Sequence, residues 1–168
     1  MSKVVVKFVN TEREYGEATR LYFSRTKRIK IDTIIGIAVL LYGIWLWMIE
    51  GYSLASVFFI GVGVLGFSIR YLSSYILPQI RFKQEPKFKD EYTLIFGDEG
   101  LEFKTEHLNS KLDWTYYYKA LESNNLYLLM YGKGLFTIVP KRAFNNKEQE
   151  SEFRNMISKN LRDGIERT

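Results

Sequence analysis

The chain has 168 residues, with 24 lysines and arginines against 19 acids, a net charge of +5, one histidine and no cysteine. The basic excess is local: residues 1–32 hold 8 Lys or Arg against 4 acids, whereas from Arg70 onward there are 16 against 14. It therefore flanks an apolar segment instead of forming a nucleic-acid surface, and no nucleic-acid partner is expected.

Lys3 to Val9 alternates and is rich in valine, which predicts a strand. Thr11 with Glu14 makes a capping box, because the threonine oxygen can take an orphan N–H while the glutamate returns to the cap. It opens a predicted helix from Glu12 to Ser24 with Tyr15, Ala18 and Tyr22 on one stripe. Residues 1–32 are too few to bury a core alone. They are expected to pack on the later domain or on lipid headgroups, with the strand free to join that domain's sheet.

Thr33 to Ile49 reads TIIGIAVLLYGIWLWMI without a charge, and a second uncharged run follows Glu50, from Gly51 to Ile69. At 1.5 Å per residue each run is about 25–28 Å long, near the length that crosses a hydrocarbon core about 30 Å thick. The expectation is a transmembrane hairpin over residues 33–77, with helices at about 33–49 and 53–77, the second ending where Pro78 makes continuation costly. Gly36 and Gly43 lie seven apart on one face, and Gly61, Gly63 and Gly66 offer a small surface on the other helix. Close packing within the hairpin is expected ahead of a glycine-driven dimer. Arg70 reads as an interface anchor whose stem stays apolar while its guanidinium reaches the phosphates, ahead of the alternative of a lipid-headgroup or substrate contact. Trp45, Trp47 and Tyr52 at one end, with Tyr71 and Tyr75 at the other, suit the membrane interfaces. Neither span carries an interior carboxylate, histidine or lysine, which argues against a proton relay or ion pathway.

Arg25, Lys27, Arg28 and Lys30 precede the hairpin, Arg70, Arg81 and Lys83 follow it, and the link holds only Glu50. The positive-inside rule then puts both polar parts in the cytoplasm and the Glu50–Ser53 turn outside. In a bacterial host this describes a multi-pass protein of the inner or plasma membrane. The start MSKVVVKFVN lacks a signal-peptide core, so the first apolar helix would itself serve as the insertion signal.

Short alternating runs follow Ile80. Glu91–Phe96 and Leu101–Thr105 are predicted strands joined at Asp98-Glu99-Gly100, and Leu108–Trp114, Tyr116–Leu121, Leu126–Tyr131 and Leu135–Val139 continue the series. The last of these is apolar on both faces, which suggests burial in mid-sheet or beside the membrane. Within Tyr116-Tyr117-Tyr118 at least one ring must face outward. Asn145 with Glu148 reads as a second capping box, and Phe153, Met156, Ile157 and Leu161 form a helical stripe. Residues 78–168 thus read as a small antiparallel roll or barrel of about six strands, closed by a C-terminal helix. The fold class is an α+β membrane protein.

Candidate binding residues are few. Lys141 and Arg142 beside Pro140, with Lys133 in the preceding turn, would meet an anionic lipid or an acidic partner segment, against the alternative of a solvated turn. Trp114, at a strand end, is either a ligand platform or a cover for the sheet's open end. His107 is the lone histidine, and Asp98, Glu99 and Glu102 lie in and after a turn. With no nucleophile–base spacing, ligand cluster or phosphate-cradling loop, no catalysis, metal or cofactor is expected.

Ile138-Val139-Pro140-Lys141-Arg142-Ala143-Phe144, followed by the acidic amphipathic helix to Leu161, is the most specific stretch. With Gly100-Leu101 after an acidic turn and Leu112-Asp113-Trp114, it resembles the YcxB-like family of bacterial membrane proteins. The order of strand, short helix, two spans and sheet domain is similar as well. The resemblance implies a C-terminal pleckstrin-homology-like domain and supplies no catalytic residues. The expected function is a noncatalytic, membrane-tethered interaction or regulatory protein whose domain binds a protein, a peptide or lipid at the cytoplasmic face. Its partners would be the lipid bilayer and another membrane protein or a second copy of itself. The alternative is a transporter accessory or small channel made of oligomerised hairpins.

Overall fold

A computed structural model of the chain describes residues 3–85, 88, 90–106 and 108–167; His107 lies outside these residues, as do the side chains of Lys27 and Arg28. The valine-rich start forms strand β1 (Val4–Val9), which pairs antiparallel with β2 (Glu91–Gly97), Val4 opposite Phe96 and Val9 opposite Glu91. Strands β3 (Gly100–Lys104) and β4 (Asn109–Asp113) extend this first sheet in the order β1-β2-β3-β4. The β2–β3 turn needs Gly100, since a Cβ there would lie 2.1 Å from the Leu112 carbonyl oxygen. A second sheet contains β5 (Lys119–Glu122), β6 (Leu126–Gly132), β7 (Leu135–Pro140) and β8 (Ile165–Arg167), in the order β7-β6-β5-β8. β8 runs parallel to β5 and the other pairs are antiparallel.

Alternation turns Val4, Val6 and Phe8 of β1 and Leu94 and Phe96 of β2 inward, to meet Ala120, Tyr127, Leu129 and Val139 of the second sheet. The C-terminal helix, here α5 (Lys147–Asn160), closes this core with Phe153, Met156 and Ile157. The Phe153 ring lies edge-on to Phe96 at 4.7 Å and to Tyr127 at 5.2 Å. The second sheet is also covered outside, where α1 (Glu12–Arg25) lays Ala18 and Leu21 on Leu121, Leu126, Leu128, Met130 and Ile138. Two covered faces explain why Leu126 to Met130 is buried throughout. The Thr11–Glu14 capping box opens α1, as expected from the sequence.

Several local expectations change. β7 is an edge strand, not a central one; its two apolar faces answer to the core and to α1. The strand expected at Tyr116–Leu121 begins only at Lys119, because Trp114–Tyr116 forms a 3-10 turn in which the Asp113 carboxylate accepts the Thr115 N–H at 2.9 Å. The cap of α5 is Asn146, not Asn145: its side chain accepts the Gln149 N–H at 2.8 Å, and Gln149 accepts the Asn145 N–H at 2.7 Å. Strand β8 was not anticipated; it is three residues long and follows a turn at Gly164 with φ +65.

Two long apolar helices leave this body. Helix α2 (Lys27–Glu50) starts six residues before the uncharged run, and α3 (Leu54–Tyr71) follows a turn at Gly51 whose φ is +70. Ser53 and Ser56 cap α3 reciprocally. The helix does not end at Leu77. Residues Leu72–Ile76 widen to a π turn, and α4 (Leu77–Gln84) carries the rod on through Pro78. Proline has no N–H and its ring strikes the carbonyl four residues back; widening the turn just before it relieves that clash. The helical rod thus continues past residue 78 and reaches Gln84. Helix α4 packs on α1, with Phe82 5.9 Å from Tyr15 and Lys83 3.7 Å from Glu12.

Helices α2 and α3 are long and apolar enough to cross a membrane. They touch through Gly43, where a Cβ would come within 2.7 Å of the Ile60 backbone nitrogen, and Gly63, where it would come within 2.8 Å of the Leu40 Cβ. Gly36 and Gly66 make no such approach. Away from this seam the apolar side chains are bare: Met48 is 80% and Leu54 89% exposed.

Candidate functional site

Where α5 does not reach, the two sheets part around a cavity of about 450 Å³. Its floor is the inner face of the first sheet, with Phe8, Tyr92, Leu94 and Phe103, and its far wall is Tyr117 with Phe136, Thr137 and Ile138. Leu108 and Leu112, at and in β4, and Leu135 in β7 form the mouth with Tyr131. β4 and β7 are the edges of their sheets, so two ladders without a further strand among the described residues flank the opening. Leu108 and Leu135 are more than half exposed, an apolar rim instead of a polar one.

The aromatic wall is ordered by ring contacts. Tyr92 stacks on Phe8 at 5.8 Å and meets the Phe103 ring edge-on at 5.3 Å, and Tyr117 meets Tyr131 edge-on at 5.6 Å. The Tyr117 hydroxyl and Thr137 Oγ1 lie 3.1 Å apart, and burial pushes the phenol up to about 12. Burial and the Asp90 charge push the Tyr92 hydroxyl up as well, despite a hydrogen bond with Asn10. The Asn10 Oδ1, on the cavity lining, is buried without a donor among the described residues. The phenols stay neutral near pH 7, and the site offers apolar volume with one acceptor in need of a partner. Among the described residues no three His, Cys, Asp or Glu side chains gather to hold a metal ion.

The residues singled out in the sequence lie elsewhere. Trp114 is 5% exposed, its Nε1–H donating to the Gly97 carbonyl at 2.8 Å and its ring stacked on Phe96, so it lies in the core away from the inter-sheet cavity. Lys133 stands exposed in the β6–β7 turn, at the opposite end of β7 from Lys141 and Arg142, about 20 Å away along the strand. The three basic residues therefore do not form one patch. Lys141 Nζ bonds Glu122 at 2.9 Å and sits 5.0 Å over the Tyr127 ring. Arg154 and Arg167 also pair with Glu122. Burial raises the Glu122 carboxyl, but the Lys141 hydrogen bond and the surrounding cations outweigh it and hold the group below its ordinary range.

Arg142 grips Glu14 with Nε at 2.6 Å and a second nitrogen at 2.9 Å, and bonds the Val9 carbonyl at 2.8 Å. It is a strut between the α1 cap and the turn after β7. Two further ties hold α1: Glu17 accepts from Ser123 at 2.5 Å and from Asn125 at 3.0 Å, and Arg25 pairs with Glu166 at 2.5 Å. The inter-sheet cavity was missed because its wall residues obey the same alternation as core residues. Only the tyrosines, apolar bodies with a polar tip, hint at a partly wet wall.

The molecule is thus an α+β protein in which two paired apolar helices are rooted in a two-sheet body with an apolar opening. Residues 96–157, from the end of β2 into α5, match the family model described as YcxB-like protein, and over that segment the chain is similar to this family. The match takes in the Gly100-Leu101, Leu112-Asp113-Trp114 and Ile138–Phe144 stretches that carried the resemblance. No curated protein and no solved structure matches the chain.

Proposed function

We propose that this protein is a membrane-tethered, noncatalytic adaptor: the paired helices cross the inner or plasma membrane of a bacterium, and the sheet body, a pleckstrin-homology-like domain, captures an extended apolar segment of another membrane protein on the cytoplasmic side. Insertion is supported by the bare apolar surface of α2 and α3, which in water would be an aggregation site. Orientation is supported by the basic flanks and by the β1–β2 pairing, since strands on either side of the hairpin in one sheet must lie on one side of a bilayer. The two four-stranded sheets closed by a C-terminal helix support the pleckstrin-homology-like reading, which is an analogy of fold.

The observation that carries the binding role is the apolar opening between the free edges of β4 and β7. An extended segment can add hydrogen bonds to one edge while alternate side chains enter the cavity. Tethering raises the effective concentration of partners in the same membrane, so a weak contact suffices. A photoreactive benzophenone residue in place of Tyr131, activated in cells, is expected to give one discrete protein adduct, lost when Leu108→Lys charges the rim. An adduct pattern unchanged by Leu108→Lys, or no protein adduct at all, overturns the reading.

A further inference from the structure

The paired helices are closed in their middle and open at the end nearest the sheet body. Gly43 and Gly63 hold the closed part, while a Cβ at Gly36 or Gly66 would meet nothing within 4 Å beyond the adjoining residues and its own helix backbone. These two absent side chains leave a groove of about 370 Å³ between α2 and α3, in the size range of small-ligand sites, about 300–1,000 Å³. Its walls include Phe23 and Phe67, and its rim carries Asp32 and Arg70. Asp32 and Arg70 are the charged residues bounding the apolar stretches of α2 and α3 on this side, so they stand at headgroup depth.

Arg70 makes no ion pair among the described residues. It also lines a second hollow of about 370 Å³ that includes Arg20, whose guanidinium lies 5.4 Å over the Tyr75 ring. Ser74, in the π turn, lines both hollows, and Ser73 the first. Two arginines without a carboxylate partner among the described residues, and a carboxylate across the groove, complement a phosphate joined to an amine.

We propose that this groove holds one aminophospholipid of the cytoplasmic leaflet. Its phosphate lies on Arg70 and Arg20, its ammonium faces Asp32, and an acyl chain runs between the helices over Gly36 and Gly66. This rests on the membrane reading but not on the sheet pocket. A bound lipid wedges the open end of the pair and makes the junction between spans and body part protein, part lipid.

The test uses the full chain, extracted in mild detergent from membranes containing phosphatidylethanolamine and phosphatidylglycerol, with retained lipid counted by native mass spectrometry. One phosphatidylethanolamine per chain is expected. Arg70→Gln should lower retention about tenfold or more, the loss of a charge-assisted contact. Gly36→Leu with Gly66→Leu should empty the groove without disturbing the helix seam, whereas Gly61→Leu, which also meets open space but lies outside the groove, should leave retention unchanged. Asp32→Asn should keep the lipid and abolish the preference for the amine. A membrane-integral protein that retains no lipid, retains both lipids equally, or keeps its lipid with the groove filled overturns the assignment. A chain that stays in solution without detergent instead overturns the membrane reading beneath it.

Discussion

Cutting the chain at residue 78, where the sequence suggests a domain boundary, should leave a fragment that does not fold. Residues 78–168 contain β2 to β8 and α5 but lack β1 and α1. Val4, Val6 and Phe8 are at most 5% exposed against the core, and Leu21 is 7% exposed on the second sheet. At about 1.5–3 kcal/mol for each fully buried side chain of this kind, the four contribute roughly 6–12 kcal/mol. That is comparable to the whole stability of a small domain, about 5–15 kcal/mol. The cut also strips β1 from the outer edge of β2, from Glu91 to Phe96, leaving β2 paired on the β3 side alone. Circular dichroism of the fragment should show little ordered sheet and no cooperative melt. Joining residues 1–25 to residues 85–168 by a flexible Gly/Ser linker, with the hairpin deleted, should restore both. A fragment that melts cooperatively within a few degrees of the fusion would refute the reasoning.

Gly43→Leu should drive a side chain into the Ile60 backbone and destabilise the helix pair by about 1–3 kcal/mol, read as a lower aggregation temperature in detergent; Gly36→Leu should not. Trp114→Phe keeps most of the stacking but loses the bond to the Gly97 carbonyl, so the hairpin-deleted fusion should lose about 1 kcal/mol and about 4 °C in Tm. Glu14, Glu122 and Glu166 are all held below their ordinary value of 4.5 in the folded protein. Their contribution is complete above the unfolded value and lost as pH falls through the lowered ones, so Tm should decline once pH drops below about 4.5. Glu122→Gln should be less stable at pH 7 by about 1–3 kcal/mol, the cations around it being able to rehydrate in part, and should show a shallower acid decline. Arg142→Ala and Glu14→Gln, combined in a double-mutant cycle, should give a coupling of about 0.5–1 kcal/mol, because Arg142 is half exposed.

Legibility in the sequence followed the range of the interactions concerned. The Thr11–Glu14 cap, the apolar helices and the Phe153–Leu161 stripe are written in spacings of three or four residues, and the structure realises them. The union of β1 with β2, across 81 residues, was foreseen only as a possibility, since a six-residue strand has no periodicity that names its neighbour. Pro78 misled because its cost is local, whereas the π turn that accommodates it begins six residues earlier. Lys141 and Arg142 looked like a free basic pair; their partners Glu122 and Glu14 lie 19 and 128 residues away and only the fold brings them near. Tyr92, Tyr117 and Tyr131 share a wall for the same reason, so the cavity could not be read along the chain.

Only Thr26 separates α1 from α2, and α4 prolongs α3 without a loop. With α1 bolted to the sheets by Arg142, Glu17 and Arg25, the apolar rods are stiff levers with no slack joint at their base. Lipid of a different thickness changes the tilt at which such rods sit. On the membrane reading proposed above, that change would have nowhere to dissipate and would reach β4 and β7 as a reorientation of the whole body relative to the bilayer.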